Sequence, residues 1–208
     1  MGDNVARLVR LMLVTDDKLV RGRDLVMLAL AGERGGVTSL QLRLKQAAAR
    51  ELAQLVRALR QALQIPIIVN DRPDVALAAG AAGVHLGPED LPVELVRRIA
   101  PPGFIVGASV GSPAEAVAAA AADYWGIGPW RVTATKDDAG PGLGPEGFKR
   151  LRRLAGEKPS IAVGGVLPDD VPAILAAGGK GLAVAAGILG EEDVEEAARR
   201  YRTVTGER

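Results

Sequence analysis

The chain has 208 residues, with Lys plus Arg at 26, Asp plus Glu at 25 and a formal net charge of +1. That length accommodates one domain with a substantial core, and the balanced charge excludes the clustered basic excess that nucleic-acid binding demands. Cysteine is absent, which removes disulfides, thiolate catalysis and cysteine-based metal sites and fits a cytoplasmic protein.

Short β-branched runs alternate with longer Ala/Leu/Arg stretches of helical spacing. Asp3, Arg7 and Arg10 interrupt the N-terminus, so it lacks the apolar run of a signal peptide. The first strand is expected over 11–15, with a polar exit at Thr15-Asp16 and a helix over 25–34. A strand over 39–44 carries Gln41, Arg43 and Lys45 and leads to a helix over 47–64. The third strand, 66–71, ends on Asn70-Asp71, and the fourth, 83–87, holds the single histidine, His85, before Asp90. Helices over 73–79 and 92–99 follow these two strands, each opened by proline, whose missing N–H is harmless there. Strands over 104–109 and 124–128 come next, with helices over 113–121 and 145–154. The segment 129–144 is the longest loop and the most polar and Gly-rich, which points to function rather than mere connection. Strands over 160–165 and 181–186, with helices over 168–177 and 192–204, complete the chain.

Eight strands alternating with eight helices fit a doubly wound sheet or a closed barrel. Polar residues concentrate just after the strands, and the first strand lacks the Gly-rich dinucleotide fingerprint. Both features favour an α/β (β/α)8 TIM barrel, a single domain over 1–208, with its site on the C-terminal rim. No window approaches the ~20 apolar residues of a membrane span, so no membrane partner is expected. The arginine clusters at Arg97-Arg98, Arg150 to Arg153 and Arg199-Arg200 read as solvated helix faces.

Four groupings bear on chemistry. Asp71 and Asp90 follow neighbouring strands ~4.8 Å apart, so they can share a Mg2+ ion whose other positions fall to water and phosphate; equally, either can cap the following helix. Gln41, Arg43 and Lys45 share one strand face, and inward cations need anions, most naturally a diphosphate gripped by the Arg fork. Internal salt bridges to Asp16 or Asp71 are the alternative, though they leave Gln41 unexplained. Gly164-Gly165 and Ala185-Ala186-Gly187 lie where such barrels bind phosphate. Thr133, Thr135 and Lys136 offer two hydroxyls and an ammonium for phosphate oxygens, or else a solvated surface turn. His85, between Val84 and Leu86, reads as a satisfied interior residue, and Tyr124, Trp125 and Trp130 form either an aromatic wall on the rim or ordinary core packing.

Several segments together resemble thiamine phosphate synthase: Leu-Val-Thr-Asp at 13–16, Gln-Leu-Arg-Leu-Lys at 41–45, Asn-Asp-Arg-Pro-Asp at 70–74 and Gly-Val-His-Leu-Gly-Pro-Glu-Asp-Leu-Pro at 83–92. Ala-Asp-Tyr-Trp-Gly-Ile-Gly-Pro at 122–129, Thr-Ala-Thr-Lys at 133–136 and Ala-Val-Gly-Gly-Val at 162–166 extend the likeness through nearly the whole chain. The resemblance implies a barrel that joins hydroxymethylpyrimidine diphosphate to thiazole phosphate, releasing pyrophosphate. It implies that Gln41, Arg43, Lys45 and Asn70 hold the pyrimidine diphosphate, with Ser109 and Lys136 reaching it too. Arg43, Lys136 and Ser109 then act in catalysis, and Asp71 and Asp90 hold Mg2+. Thr133, Thr135, Gly164, Gly165, Ala185 and Ala186 take the thiazole phosphate. No protein nucleophile or general base is required, since Mg2+, Arg43 and Lys136 neutralise a good leaving group and the thiazole nitrogen attacks.

Three positions depart from the family pattern. Gly111 stands where a histidine is frequent, Ala186 where a serine is usual, and Arg131 where the family tends to be apolar. Losing the serine removes one phosphate contact, worth ~1 kcal/mol. The rival readings are a thiazole tautomerase relative, which needs the missing histidine, and a non-catalytic sensor of a thiamine precursor. A sugar-phosphate isomerase barrel is a third, and it lacks an acid–base pair here beyond the two aspartates. Homo-oligomerisation is left open by the sequence.

Overall fold

The computed structural model describes residues 2–132 and 142–204. Eight strands run in chain order: β1 (Leu11–Val14), β2 (Ser39–Leu42), β3 (Ile67–Asn70), β4 (Gly83–Leu86), β5 (Ile105–Val110), β6 (Tyr124–Ile127), β7 (Ser160–Val163) and β8 (Gly181–Val184). Each pairs in parallel with its sequence neighbours, and β1 also pairs with β8, so the sheet closes into a barrel. Helices α2 (Leu25–Arg34), α3 (Ala49–Ala62), α4 (Pro73–Ala79), α5 (Val93–Ile99), α6 (Pro113–Ala118), α7 (Gly144–Leu154) and α8 (Val171–Ala176) return the chain between strands.

The strands are buried on both faces, as a helix-covered parallel sheet requires. Their alternation sorts two cores. Leu11, Leu13, Leu40 and Leu42 point outward and pack with the helices, while Met12, Val14, Ile68, Ile105, Tyr124 and Ile161 fill the interior. The α3 helix shows how the outer layer is made. Leu52, Val56 and Leu59 fall at i, i+4 and i+7 and are buried, and Arg50, Arg57 and Arg60 stay in water. Each such burial contributes about 2 kcal/mol.

Two helices stand outside the expected pattern. The N-terminal α1 (Gly2–Leu8) was not expected: Val5 and Leu8, with Val9 after it, close the barrel floor against Met12 and Ile105. After β8 comes the one-turn α9 (Ala186–Leu189), then α10 (Val194–Val204). Strands expected to reach 44, 165 and 186 stop at Leu42, Val163 and Val184, because the rim chains flare apart into loops and Ala186 already starts a helix. The helix expected from 168 opens as a tight 3-10 turn, Pro168–Asp170, before α8. Among the described residues no helix is long and apolar enough to cross a membrane.

Candidate active site

The C-terminal strand ends open into a cleft of about 850 Å3, the size range of small-molecule sites. Inward-facing positions supply its walls: Gln41, Arg43, Asn70, His85 and Ser109 come from four successive strands or their exits. Lys45, Asp71, Asp90, Gly164, Gly165 and Ala185 line the same cleft from the loops, and Ala186 from the start of α9. Every expected site residue that falls among the described ones is therefore gathered at one rim. Thr133, Thr135 and Lys136 lie outside the described residues.

The loop after β1 builds the side of the cleft that carries Arg43 and Lys45. Thr15 locks onto the exit of β2, its Oγ1 accepting from Arg43 N (2.8 Å) and donating to Arg43 O (3.0 Å). Asp16 then holds the guanidinium itself, Arg43 Nη1 to Oδ2 at 3.2 Å, with side-chain exposures of only 14% and 12%. Asp17 accepts the backbone N–H groups of Lys45 (2.9 Å) and Gln46 (3.3 Å). Lys45 Nζ meets Asp71 Oδ2 at 3.3 Å. The salt bridges weighed from the sequence thus exist, yet Arg43 still faces the cleft with donors beyond the one spent on Asp16. Asp16 and Asp17 were not singled out as positioning groups, although their place directly after a strand carried the signal.

Asp71 adopts φ 63°, the one non-glycine in the left-handed region among the described residues. Asp and Asn tolerate this conformation best, and such strain concentrates at functional sites. Asp90 Oδ2 accepts from Gly87 N at 2.6 Å. Neither carboxylate caps the next helix: the cap positions of α4 and α5 are Arg72 and Pro92. Burial, together with the adjacent, hydrogen-bonded Asp71 carboxyl, pushes the Asp90 carboxyl up to about 6, against the pull of Gly87 N–H and Lys45. Two crowded carboxylates facing one ammonium leave unbalanced negative charge, which a hard divalent cation would relieve, so these residues fit Mg2+. Among the described residues no third His, Cys, Asp or Glu joins them at ligand distance, leaving the other coordination positions to water and phosphate oxygens.

The cleft floor is a buried polar chain. His85 Nδ1 lies 3.0 Å from the Tyr124 hydroxyl and Nε2 lies 3.0 Å from Ser109 Oγ. His85 is thus a satisfied interior residue, as expected, and it fixes the Ser109 hydroxyl in the wall. Tyr124 is fully buried, which pushes its phenol well above the usual range, so it stays neutral. Gly107 makes room for it: a Cβ there would lie 2.2 Å from Tyr124 Cζ. The aromatic wall does not exist. Alternation along β6 puts Tyr124 inside and Trp125 outside, where its Nε1 donates to Ala119 O (2.8 Å); Trp130 packs edge-on to Phe148 with ring centroids 5.7 Å apart. On the rim, Gly111 N donates to Glu115 Oε2 (2.8 Å) within the Ser112–Glu115 cap of α6.

Residues 11–188 match the family model described as thiamine monophosphate synthase. The chain belongs to the thiamine monophosphate synthase family. A thiamine-phosphate synthase of Methanoculleus marisnigri is 48% identical over 197 residues, covering 92% of this chain and 93% of that protein. One from Azorhizobium caulinodans is 44% identical over 199 residues, with 93% of each covered. The solved thiamine phosphate pyrophosphorylase of Pyrococcus furiosus superposes with a TM-score of 0.86 at 35% identity and covers 97% of both chains. The family is one of transferases, and its members' barrel is the one described above.

Proposed function

We propose that this chain is a Mg2+-dependent thiamine phosphate synthase, condensing hydroxymethylpyrimidine diphosphate with thiazole phosphate to thiamine phosphate and pyrophosphate. The observation that carries the reading is the meeting, in one cleft, of Arg43 and Lys45 with the crowded Asp71–Asp90 pair, in a chain of this family. Asp71 and Asp90 would hold the Mg2+ ion, which when bound neutralises diphosphate charge and assists its departure. Arg43, fixed by Asp16, presents its remaining N–H donors to the diphosphate oxygens, and Lys45 adds a second positive charge. Gln41 and Asn70 offer amides to the pyrimidine, and Ser109, held by His85, offers its hydroxyl. Gly164, Gly165, Ala185 and Ala186 line the part of the cleft where backbone N–H groups would take the thiazole phosphate. On the family pattern Lys136 joins Arg43 at the leaving group, and Thr133 and Thr135 join the thiazole phosphate. Catalysis then rests on positioning and preorganised charge rather than on a nucleophile.

The test mixes purified protein with both substrates in Mg2+ or EDTA and follows pyrophosphate and thiamine phosphate. Equal formation of both products, abolished by EDTA, is expected. Ligand binding without turnover would instead favour a precursor sensor and would sink the synthase reading.

A further inference from the structure

Behind the Gly164-Gly165 turn stands an ion pair that does not line the cleft. Arg131, just past β6, places Nη2 2.6 Å from Asp170 Oδ1 and Nη1 against Oδ2, a two-pronged grip. Asp170 is nearly buried, its side chain 9% exposed, and it also accepts from Leu167 N at 2.8 Å. Burial alone would raise the Asp170 carboxyl, but the Arg131 fork, Leu167 N–H and the Trp130 side chain outweigh it and hold it below its usual value. The same arginine grips the turn itself. Its backbone N–H donates to Gly164 O at 2.9 Å, and Nη1 reaches Gly165 O at 3.4 Å.

These contacts set the direction of two peptide planes. In a planar trans peptide the N–H points opposite to the carbonyl. With the Gly164 and Gly165 carbonyls turned to Arg131, the N–H groups of Gly165 and Val166 point away from it, on the side where these residues line the cleft. The turn reaches this form through φ 88° at Gly164 and φ 66° at Gly165, and a Cβ on Gly165 would lie 2.9 Å from Arg131 Cβ. Successive amides facing one way make an anion cradle.

We propose that Arg131 and Asp170 are positioning residues: a brace behind the β7 turn that aims the Gly165 and Val166 amides at the phosphate of the thiazole substrate. This rests on the synthase reading above for the identity of that substrate. The arginine that departs from the family pattern therefore acts through the turn and not on the substrate.

The experiment has two independent readouts. Steady-state kinetics on the wild type, Arg131→Lys, Arg131→Ala and the double variant Arg131→Ala/Asp170→Ala give KM for each substrate. A titration with inorganic phosphate follows the amide NMR signals of Gly165 and Val166, and needs no turnover. The double variant removes the carboxylate that the single variant strands, so it regains stability without regaining the brace. The expected result is KM for thiazole phosphate raised roughly tenfold in Arg131→Ala and in the double variant, about what the one lost charged hydrogen bond, Nη1 to Gly165 O, supplies; the backbone bond to Gly164 O remains in every variant. KM for the pyrimidine diphosphate stays within about twofold, Arg131→Lys falls between, and phosphate shifts both amides in the wild type with roughly tenfold weaker affinity in Arg131→Ala. Equal movement of both KM values, full recovery in the double variant, or phosphate affinity unchanged by Arg131→Ala would overturn the brace. So would wild-type amides that phosphate leaves unmoved. A wild type that binds phosphate at these amides but makes no product would refute the synthase reading and leave the brace supported.

Discussion

Arg43→Ala separates a substrate-binding arginine from a merely structural one. In the folded chain one guanidinium nitrogen is engaged with Asp16 at 3.2 Å, and the side chain is 14% exposed at the cleft. The remaining donors can make two charge-assisted bonds to diphosphate, each worth about 1.5–3 kcal/mol. The cleft mouth admits water, so the lower end applies: a loss of about 3 kcal/mol, or ~150-fold in affinity. Arg43→Lys keeps the charge but loses the fork, and should weaken binding about tenfold. The assay is calorimetric titration of pyrimidine diphosphate in saturating Mg2+, with urea unfolding on the same samples. Unfolding matters because Arg43→Ala also strands Asp16, a cost of about 1–3 kcal/mol in stability that would otherwise be mistaken for lost binding. If the variant unfolds earlier in urea yet binds within about threefold of wild type, Arg43 is a salt-bridge residue only and the diphosphate assignment is wrong.

Asp71→Asn and Asp90→Asn should each abolish Mg2+-dependent turnover while leaving the fold intact; circular dichroism checks the second half, and normal turnover in either variant would end the shared-cation assignment. Gly107→Ala puts a methyl group 2.2 Å from the Tyr124 ring, so it should destabilise the barrel by about 1–3 kcal/mol in urea and disturb the Ser109 hydroxyl through His85. Because the Asp170 carboxyl is held below its usual value, it contributes stability that is present above the unfolded carboxyl pKa of about 3.9 and lost as pH falls through the folded one. Urea midpoints should therefore show wild type above Asp170→Asn at pH 7 and the gap closing toward pH 3; a gap that widens on acidification would refute the sign.

The barrel was legible because its signals are local. Eight apolar runs, prolines at helix starts and polar residues at strand exits need no knowledge of distant partners. Asn70 and Ser109 were legible as polar residues at strand ends, and His85 as an interior strand residue, because those positions depend only on where each strand runs. The floor helix α1 was missed because the polar residues Asp3, Asn4 and Arg7 hid the i, i+3, i+4 pattern of Val5, Leu8 and Val9, which is visible once the barrel floor is known to need covering. The aromatic wall failed for a related reason: Tyr124 and Trp125 are adjacent in one strand, and adjacent strand residues cannot face the same way.

What the sequence did not disclose is which groups stand behind the cleft rather than in it. Asp16 lies 27 residues from Arg43, and Asp170 lies 39 residues from Arg131. Of these pairs only Asp16–Arg43 could be weighed from the sequence, as a salt bridge; pairing of β1 with β2 brings the loop after β1 beside the exit of β2, and pairing of β6 with β7 brings the loop after β6 beside the turn after β7. The barrel itself creates this second tier, because each rim loop must find its hydrogen-bond partners on the neighbouring loop once strand pairing stops. On the proposed brace a residue such as Arg131 serves the site without lining it, since the turn it holds, and not its own side chain, lines the cleft. Substitutions at such positions should therefore shift the affinity for one substrate while leaving the chemistry of the other untouched.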